Sequence, residues 1–360
     1  HYPFCAATFD AVNKTFTHTW GDAYCSTDLA AYDFMFSTVY ETPFVVDETT
    51  TVLPIALTFR PLMARIGMKL ALGANETPKY VTFTTDDNVL PTAGTVNADG
   101  TFSASALTNS LTVETDRKEF TVGLLPVGVA SKMSVHVTTT DGMTYSDKSF
   151  QLAGLKRNTH YTMNVPCRTK RFMLTVPDGV NSKYGTGTYG DNGFFQVEPQ
   201  YDPESIFDGW HFLRSEIKSD KDAADGDVLK NRNRIQLQAV SLGTNRAQNG
   251  AFVTPPIQCD GTKTVTVSFT AATNKLTVGS VQYRIGVTNN GADISEDFLR
   301  SFDNIQSSLE GECPWKHSGS VSRTHTFTVT NGQRIMMKVY SSGGGTPCHL
   351  ELADFTYTVE

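Results

Sequence analysis

The sequence predicts an all-β protein built from β-sandwiches, and three observations support this fold class. Apolar residues recur at every second position in many short segments, as expected when one face of a strand is buried. The turn-forming pairs Asp141-Gly142 and Asn331-Gly332 end such segments and predict hairpins. The chain is rich in Thr, Val, Phe, Tyr, Gly and Asn, which favour strands and turns. Short strands separated by turns indicate sandwiches or jelly rolls.

Residues 57–73, LTFRPLMARIGMKLALG, are compatible with a helix by composition, because Leu, Met, Ala, Arg and Lys are good helix formers. As a strand, however, the segment has one wholly apolar face, made of Leu62, Ala64, Ile66, Met68, Leu70 and Leu72. A helix with Ile66 inward would bring Arg65 and Lys69 to the same side. We therefore predict a strand, with Pro61 marking a bulge or an edge.

Further alternating sets occur along the whole chain. Each set predicts one buried strand face: Tyr32, Phe34 and Phe36; Phe120, Val122 and Leu124; Met133, Val135 and Val137; Tyr161, Met163 and Val165; Val265, Val267 and Phe269; Val281, Tyr283, Ile285 and Val287; Phe327 and Val329; Ile335, Met337 and Val339. Short helices are expected only within 289–308 and 221–230. A boundary near residue 167 predicts two domains, 1–167 and 168–360.

Length and charge exclude several classes of protein. The chain has 360 residues, enough for two domains, and a net charge of −7 without a basic run. This charge argues against nucleic acid and anionic membranes as partners. No apolar stretch approaches the roughly 18 residues of a membrane span. The chain starts at His1 without a signal peptide, which fits a cytosolic protein or an exported one that has lost its leader, and the composition favours export.

The cysteines are scattered singly, without a CxxC motif, which argues against redox and zinc-ribbon sites. Cys313 and Cys348 are the first pair to test for a disulfide, because both lie in Gly/Pro-rich loops. The alternative is that most of the cysteines are free buried thiols.

The N-terminal half resembles a known family. The matching residues are Trp20-Gly21-Asp22, the aromatic stretch 32–36, the LTFRPLMARIGMKLAL strand and a closing segment at Leu152–Val165. Over about 20–166 they resemble the fimbrillin-like domain of surface and pilus proteins from gram-negative anaerobes. The resemblance implies a transthyretin-like β-sandwich, export as a lipoprotein and a role in adhesion. In pilus-forming members, a strand from one subunit completes the sheet of the next.

The C-terminal half, about 200–360, resembles a galactose-binding-like jelly roll, the fold of many carbohydrate-binding modules. The matching segments are FDGWHF at 207–212, GAFVTPP at 250–256, TVTVSFTA at 264–271, THTFTV at 324–329 and LELADFTYTV at 350–359. Polymerising fimbrillins usually carry a second transthyretin-like domain instead. This departure favours a pilus tip, an anchor or a stand-alone adhesin over a pilus shaft.

Trp315 is the candidate sugar-binding residue. It lies in the turn-rich segment EGECPWKHSGS, where an exposed indole could stack on a sugar while Lys316 and His317 contact hydroxyl groups. The alternative is that Trp315 closes one end of the jelly roll as a buried plug. Trp210 alternates with Phe212 and is expected in the core.

Asp354 is the candidate metal ligand. Many galactose-binding-like jelly rolls hold a structural Ca²⁺ between an early loop and the last strand, and Asp354 occurs in the corresponding strand here. The alternative is an exposed or hydrogen-bonding Asp at a strand bulge. No other cofactor is expected.

Catalysis finds little support, since neither GxSxG nor HExxH occurs and no carboxylate pair is marked by its surroundings. The sequence therefore predicts a non-enzymatic, exported adhesin of the cell surface or outer membrane. Its expected partners are a glycan, a host or bacterial surface protein, or other pilus subunits joined by strand addition. Contact with a membrane would occur only through a lipid anchor that this chain lacks. The alternative is a glycan-capturing surface lipoprotein of a polysaccharide-uptake system.

Overall fold

The computed structural model describes residues 8–10, 12–13, 15–32, 35–37, 59–97, 99–176, 181–184, 194–196, 209–219, 229, 231–239, 249–274, 280–289, 291–314, 319–342 and 348–360. The chain divides into two compact units. Unit 1 comprises His1–Leu72, Thr77–Thr139 and Tyr145–Arg168; unit 2 comprises Gly73–Glu76, Thr140–Thr144 and Thr169–Glu360. The short segments Gly73–Glu76 and Thr140–Thr144 thus belong to unit 2. The predicted division into 1–167 and 168–360 assigns both segments to the first domain.

Unit 1 consists almost entirely of strands. They are β1 (Thr8–Asp10), β2 (Thr15–Thr19), β3 (Met35–Ser37), β4 (Phe59–Pro61), β5 (Ala64–Ala71), β6 (Pro78–Thr85), β7 (Leu90–Val96), β8 (Phe102–Thr108), β9 (Ser110–Glu114), β10 (Glu119–Leu124), β11 (Ser131–Thr139), β12 (Thr144–Leu152) and β13 (His160–Pro166). A short helix α1 (Leu29–Tyr32) and a 3-10 turn at Asp22–Tyr24 precede β3.

Two sheets of unit 1 enclose its core, one in the order β10-β5-β13 and one containing β11-β6-β9. The inward residues of both sheets, such as Ile66 and Val122 on one side and Phe83 and Val135 on the other, form one buried cluster. Strand β13 runs parallel to β5, whereas β10 runs antiparallel to it. Strand β12 pairs with β11, and the other described strands of unit 1 form the sheets β1-β2-β7-β8 and β3-β4.

The ambiguous stretch is a strand, as predicted. In β5, Ala64, Ile66, Met68 and Leu70 are buried, while Lys69 between them is exposed. Strand β5 pairs with a strand on each side, so its backbone N–H and C=O groups have hydrogen-bond partners. The two-residue repeat of its side chains then places the apolar residues on the buried face. The preceding Pro61 ends β4.

Unit 2 is also built from strands. They are β14 (Lys170–Met173), β15 (Asn181–Tyr184), β16 (Phe194–Gln196), β17 (His211–Leu213), β18 (Ser215–Lys218), β19 (Arg234–Ala239), β20 (Ala251–Val253), β21 (Thr262–Asn274), β22 (Ser280–Val287), β23 (Gln306–Pro314), β24 (Val321–Thr330), β25 (Ile335–Ser342) and β26 (Cys348–Val359). One short helix, α2 (Glu296–Arg300), lies between β22 and β23.

The strands of unit 2 form two sheets. The back sheet contains β15-β18-β19-β26, with β21 beside β26, β24 beside β21, and β14 paired to the last residues of β26. The front sheet has the order β16-β17-β20-β25-β22-β23. Val267 and Tyr357 from the back sheet and Tyr283 and Met337 from the front sheet belong to one buried cluster. Unit 2 is therefore a β-sandwich, and the all-β prediction is confirmed for the described residues.

Trp210 lies in this core, as expected, and is only 1% exposed. Its ring stacks on Phe212 at a centroid distance of 5.8 Å and contacts Phe172 at 5.0 Å. A large aromatic cluster of this kind contributes apolar burial and ring contacts together.

The Asn331-Gly332 pair does not form the predicted hairpin. The turn follows β24, but β24 pairs with β21 in the back sheet, whereas β25 pairs with β20 and β22 in the front sheet. The polar groups of this turn bond to the segment around residues 257–259 instead. The Gly332 N–H donates to the Ile257 carbonyl, and the Cys259 N–H donates to Asn331 Oδ1. The turn therefore connects the two sheets.

One further prediction is wrong and one is confirmed. Tyr32 was expected in a strand but ends α1, and Phe34 lies outside the described residues. Helix α2 occurs within the predicted range 289–308, where the Ser295 hydroxyl caps it by accepting from the Phe298 N–H at 3.2 Å. Residues 221–228 also lie outside the described part. No described helix is long and apolar enough to cross a membrane.

Candidate functional site

The predicted sugar-binding residues Trp315, Lys316 and His317 lie outside the described residues. The described strand β23 ends immediately before them, at Pro314, whose backbone pairs with Ser280 of β22. The role of these three residues stays a prediction. The predicted Cys313–Cys348 disulfide is wrong, because Cys313 is a buried thiol rather than part of a disulfide. Cys25 and Cys259 are buried thiols as well, in line with the alternative that most of the cysteines are buried thiols.

Asp354 lies at a β-bulge in β26. The register with β21 shifts here, so that Ser268 pairs with Thr356 and Thr270 with Ala353. Asp354 has a φ of 51°, a left-handed conformation that Asp tolerates better than most residues. Its side chain is 55% exposed. The backbone thus has the bulge that we gave as the alternative to a calcium site.

The carboxylate of Asp354 is paired with Arg232. Its Oδ1 accepts from Arg232 Nε at 3.4 Å, its Oδ2 contacts Arg232 Nη2, and that Nη2 also donates to Thr270 Oγ1 at 3.2 Å. Ca²⁺ at this position would have to displace a guanidinium group. Among the described residues, no group of three or more His, Cys, Asp or Glu side chains could hold a metal ion. The Ca²⁺ site stays a prediction.

A different candidate site lies on the outer face of the front sheet, on the side away from the sandwich core. One row of directly paired residues crosses this face: Leu213, Ala251, Lys338, Arg284 and Glu310. Directly paired residues point to the same side of a sheet. Leu213 and Ala251 belong to a small apolar cluster with Leu299 of α2, apart from the main core. The row therefore changes from apolar to charged across the sheet.

Five residues form what we call the outer-face cluster: Arg284, Phe302, Glu310, Lys338 and Tyr340. The Arg284 guanidinium lies 4.9 Å from the centroid of the Tyr340 ring and 5.5 Å from that of Phe302. The two rings meet edge to face at 5.3 Å. Both rings are partly exposed. Aromatic rings fixed by a cation in this way form a rigid, partly apolar surface.

Glu310 adds a negative charge at the rim of the outer-face cluster. Its Oε1 accepts from both Nε and Nη2 of Arg284 at 2.9 Å, and its side chain is 66% exposed. The Arg284 side chain is 29% exposed. The exposed part of the cluster thus offers hydrogen-bond donors, carboxylate acceptors and aromatic carbon within one small area.

Lys338 is the buried member of the outer-face cluster, with 0% exposure. Its Nζ donates to the Asn249 carbonyl at 3.1 Å and lies 5.2 Å from the centroid of the Phe302 ring. Burial, with smaller contributions from Arg300 and Arg214, lowers the pKa of Lys338 to about 7. At neutral pH a substantial fraction of this lysine is therefore an uncharged amine.

Sequence reasoning missed the outer-face cluster. Arg284 and Lys338 occupy the polar positions of strands whose other positions form the core, and such positions usually face water. The aromatic partner Phe302 comes from the segment after α2, which no periodic pattern connects to these strands. A signal was present in Tyr340, an aromatic residue outside the alternating set Ile335, Met337 and Val339.

The N-terminal half of the chain is similar to a known protein family. Residues 1–178 match the family model described as fimbrillin-like. These residues are therefore similar to fimbrillin-like domains over almost half of the chain. The resemblance inferred from the sequence is thereby confirmed for this half. No match was found among curated protein sequences.

Several solved structures are similar to parts of this chain. A putative cell adhesion protein from Bacteroides uniformis aligns at 16% identity and a TM-score of 0.34, covering 46% of this chain and 64% of that one. A second, from Bacteroides ovatus, aligns at 20% identity and a TM-score of 0.30, covering 46% and 60%. The C-terminal CBM6 of a laminarinase from Zobellia galactanivorans aligns at 11% identity and a TM-score of 0.23. This alignment covers 36% of this chain and 80% of that one. The chain thus spans less than two thirds of both adhesion proteins.

Proposed function

We propose that this protein is a non-enzymatic surface adhesin whose second unit binds carbohydrate. The fimbrillin-like match over residues 1–178 supports the adhesive role and the location at the cell surface. The outer-face cluster is the observation that carries the carbohydrate-binding part. Export by way of a lipid anchor in the outer membrane, and a position at a pilus tip or anchor, belong to the same proposal.

The chemistry of the outer-face cluster matches that of a sugar. A pyranose ring has apolar C–H faces that stack on aromatic rings, and equatorial hydroxyls that need donors and acceptors at its edge. Tyr340 and Phe302 supply the rings, while Arg284 and Glu310 supply the polar groups. Because Glu310 already neutralises Arg284, a neutral glycan suits this surface better than a strongly charged one.

Binding by a single site of this kind should be weak. One stacked ring contributes on the order of 1 kcal/mol beyond the burial of its area, by analogy with aromatic pairs. Several copies on one cell would raise the apparent affinity without any new contact. Weak sites in many copies suit attachment to a surface that displays repeated glycans.

Assembly with other subunits remains part of the proposal. In the described structure β23 is at one end of the front sheet and β24 pairs only with β21, so each has a side to which another strand could be added. A strand from a partner could extend either sheet through backbone hydrogen bonds.

A glycan array with purified wild type and Tyr340→Ala tests the carbohydrate proposal. We expect the substitution to weaken binding by about five- to tenfold, because it removes one stacking ring. The matched control is Tyr80→Ala, since Tyr80 also lies on a strand with a cation near its ring, Lys79 at 5.4 Å. This control should bind glycan as the wild type does.

Trp315→Ala separates the two candidate surfaces. If glycan binding is lost in Trp315→Ala but kept in Tyr340→Ala, the site belongs to residues 315–317 and the outer-face cluster has another role. A wild type that binds no glycan on the array would reject carbohydrate binding. The adhesin proposal itself would then depend on protein partners, which a cell-attachment assay with the full chain measures directly.

A further inference from the structure

A second buried lysine, Lys170, is held by two carboxylates. Lys170 begins β14 and is only 1% exposed. Its Nζ lies 2.6 Å from Asp141 Oδ2 and 3.0 Å from Glu76 Oε1, and it donates to the Gln258 carbonyl. The carboxylate side chains are themselves 1% and 7% exposed. Lys170, Asp141 and Glu76, all in unit 2, are called the buried triad below.

Each carboxylate of the buried triad is fixed by backbone N–H groups. Asp141 Oδ2 accepts from the Gln258 N–H at 3.0 Å, and Oδ1 accepts from the Met143 N–H at 3.2 Å. Glu76 Oε2 accepts from the Gly73 N–H at 2.9 Å. These hydrogen bonds restrict the orientation of both carboxylates. The Lys170 amine is therefore held in contact with the Asp141 carboxylate.

We propose that Lys170 and Asp141 join through an intramolecular amide bond, with Glu76 carrying the proton. Lys170 Nζ attacks the carboxyl carbon of Asp141, a C–N bond forms, and the C–O bond to Oδ2 breaks. Glu76 takes a proton from Nζ and returns it to the departing oxygen, which leaves as water with two protons of the former ammonium group. The charges of the ion pair cancel, Glu76 is unchanged, and no other reactant is required.

The surroundings of the buried triad favour this step. The attacking amine must first lose a proton, and Glu76 Oε1 lies 3.0 Å from Nζ, where it can take that proton. The Met143 N–H points at Oδ1, where negative charge develops as Nζ adds to the carbon. Because the two reacting groups are already held in contact, the reaction does not require them to meet by diffusion, and the entropic part of its barrier is lower. The same burial keeps water from hydrolysing the product.

The bond would close a covalent ring through residues 141 to 170. It would tie the turn at Thr140–Thr144 to β14. Like a disulfide, it would restrict the unfolded chain, but it would not depend on the redox state of the surroundings. The proposal stands on the buried triad alone and does not require that the outer-face cluster binds glycan.

The test is the intact mass of the purified full chain, measured after reduction and denaturation. We expect a mass lower by one water than the sequence requires, and a branched peptide that joins the segments around Asp141 and Lys170. Lys170→Arg lacks the nucleophile, and Glu76→Gln lacks the proton carrier, so both should show the full mass. Lys69 and Glu119 are the internal control: their 2.8 Å ion pair is exposed and should give no linked peptide.

One competing reaction gives the same mass. Asp141 precedes Gly142, and an Asp-Gly pair can cyclise to a succinimide with loss of one water. A succinimide would persist in Lys170→Arg, would be opened by hydroxylamine and would give no branched peptide. The proposal is overturned if the folded wild type keeps its full mass after prolonged incubation, or if Lys170→Arg retains the loss. Should a variant fail to fold, the peptide map of the wild type decides alone.

Discussion

Among the described residues of unit 2, two lysines are almost completely buried, and their surroundings are opposite. Lys170 meets the carboxylates of Asp141 and Glu76. Lys338 meets a backbone carbonyl and the ring of Phe302 instead. Burial lowers its pKa, and the positive charges of Arg300 and Arg214 lower it further. Burial alone therefore does not decide whether a lysine stabilises a fold; the charges placed around it do.

The comparison also separates two uses of a buried amine. Around Lys170 two buried carboxylates hold the amine at 2.6 and 3.0 Å, and this fixed contact is why we propose a covalent bond there. Around Lys338 burial is the main cause that lowers the pKa of the amine, and the like charges of Arg300 and Arg214 add to it. Lys338 then lowers the free energy of unfolding at neutral pH. The outer-face cluster nevertheless contains this polar group, next to the ring of Phe302.

The largest expected effect comes from Lys170→Ala. It leaves two buried carboxylates without their cation, and we expect the free energy of unfolding to fall by about 3–5 kcal/mol. Chemical denaturation followed by tryptophan fluorescence measures the loss. Lys69→Ala is the control, because it breaks an exposed Lys–Glu pair of similar length, and it should hardly change the unfolding midpoint. Equal effects of the two substitutions would show that burial of the triad contributes nothing.

Lys338→Met should have the opposite sign. It replaces a buried amine by an apolar chain of similar length, and we expect the free energy of unfolding at pH 7 to rise by about 1–2 kcal/mol. The lost hydrogen bond to the Asn249 carbonyl offsets part of the gain. Thermal or chemical denaturation at pH 7 measures it. A loss of more than about 2 kcal/mol would contradict the comparison, by showing that Lys338 is well satisfied where it lies.

The pH dependence of the same pair provides a second test. The folded pKa of Lys338, about 7, lies below its unfolded value of 10.5. Between these values the unfolded chain binds more protons, so the stability of the wild type should rise with pH in that window through this group. Lys338→Met lacks the group, and its advantage should therefore shrink between pH 7 and pH 10. An advantage that stays constant over this range would mean that Lys338 is not the titrating group.

The smallest effect is expected for Arg232→Ala. Arg232 forms an ion pair with Asp354 at a partly exposed bulge, and such pairs contribute at most about 1 kcal/mol. Denaturation should therefore show a small loss. The substitution also frees the carboxylate of Asp354, so it is the most sensitive background for the calcium prediction. A melting temperature raised by Ca²⁺ in wild type or Arg232→Ala, but not after Asp354→Ala, would support a metal site, and the absence of any shift in all three would remove it.

Much of the fold was predictable because it depends on local sequence. The alternation in β5, β11, β21 and β22 decides which face of each strand is buried, and the structure buries those faces. A slip of one residue would expose the whole apolar set, so this signal is strong. The same reasoning placed Trp210 in the core. The resemblance of the first half to fimbrillin-like domains rested on such strand patterns, and the family match confirmed it.

The sites were less predictable, because they combine residues from distant segments. Asn331-Gly332 has the sequence of a hairpin, yet the following strand joins the other sheet; a turn fixes local backbone, not which sheet its strands enter. Lys338 occupies a position that the alternation assigns to water, and the segment around α2 and Phe302 covers it. Glu76, Asp141 and Lys170 are far apart in the chain and individually ordinary.

The sequence by itself determined the strand period, the buried faces and the resemblance of the first half to fimbrillin-like domains. Each of these follows from neighbouring residues and the two-residue repeat of a strand. Only the tertiary structure decided that one lysine meets two carboxylates and another meets a backbone carbonyl and an aromatic ring. The reason is that desolvation and Coulomb interaction depend on all groups within a few ångströms. That neighbourhood is assembled only when turns and strands far apart in the chain come together.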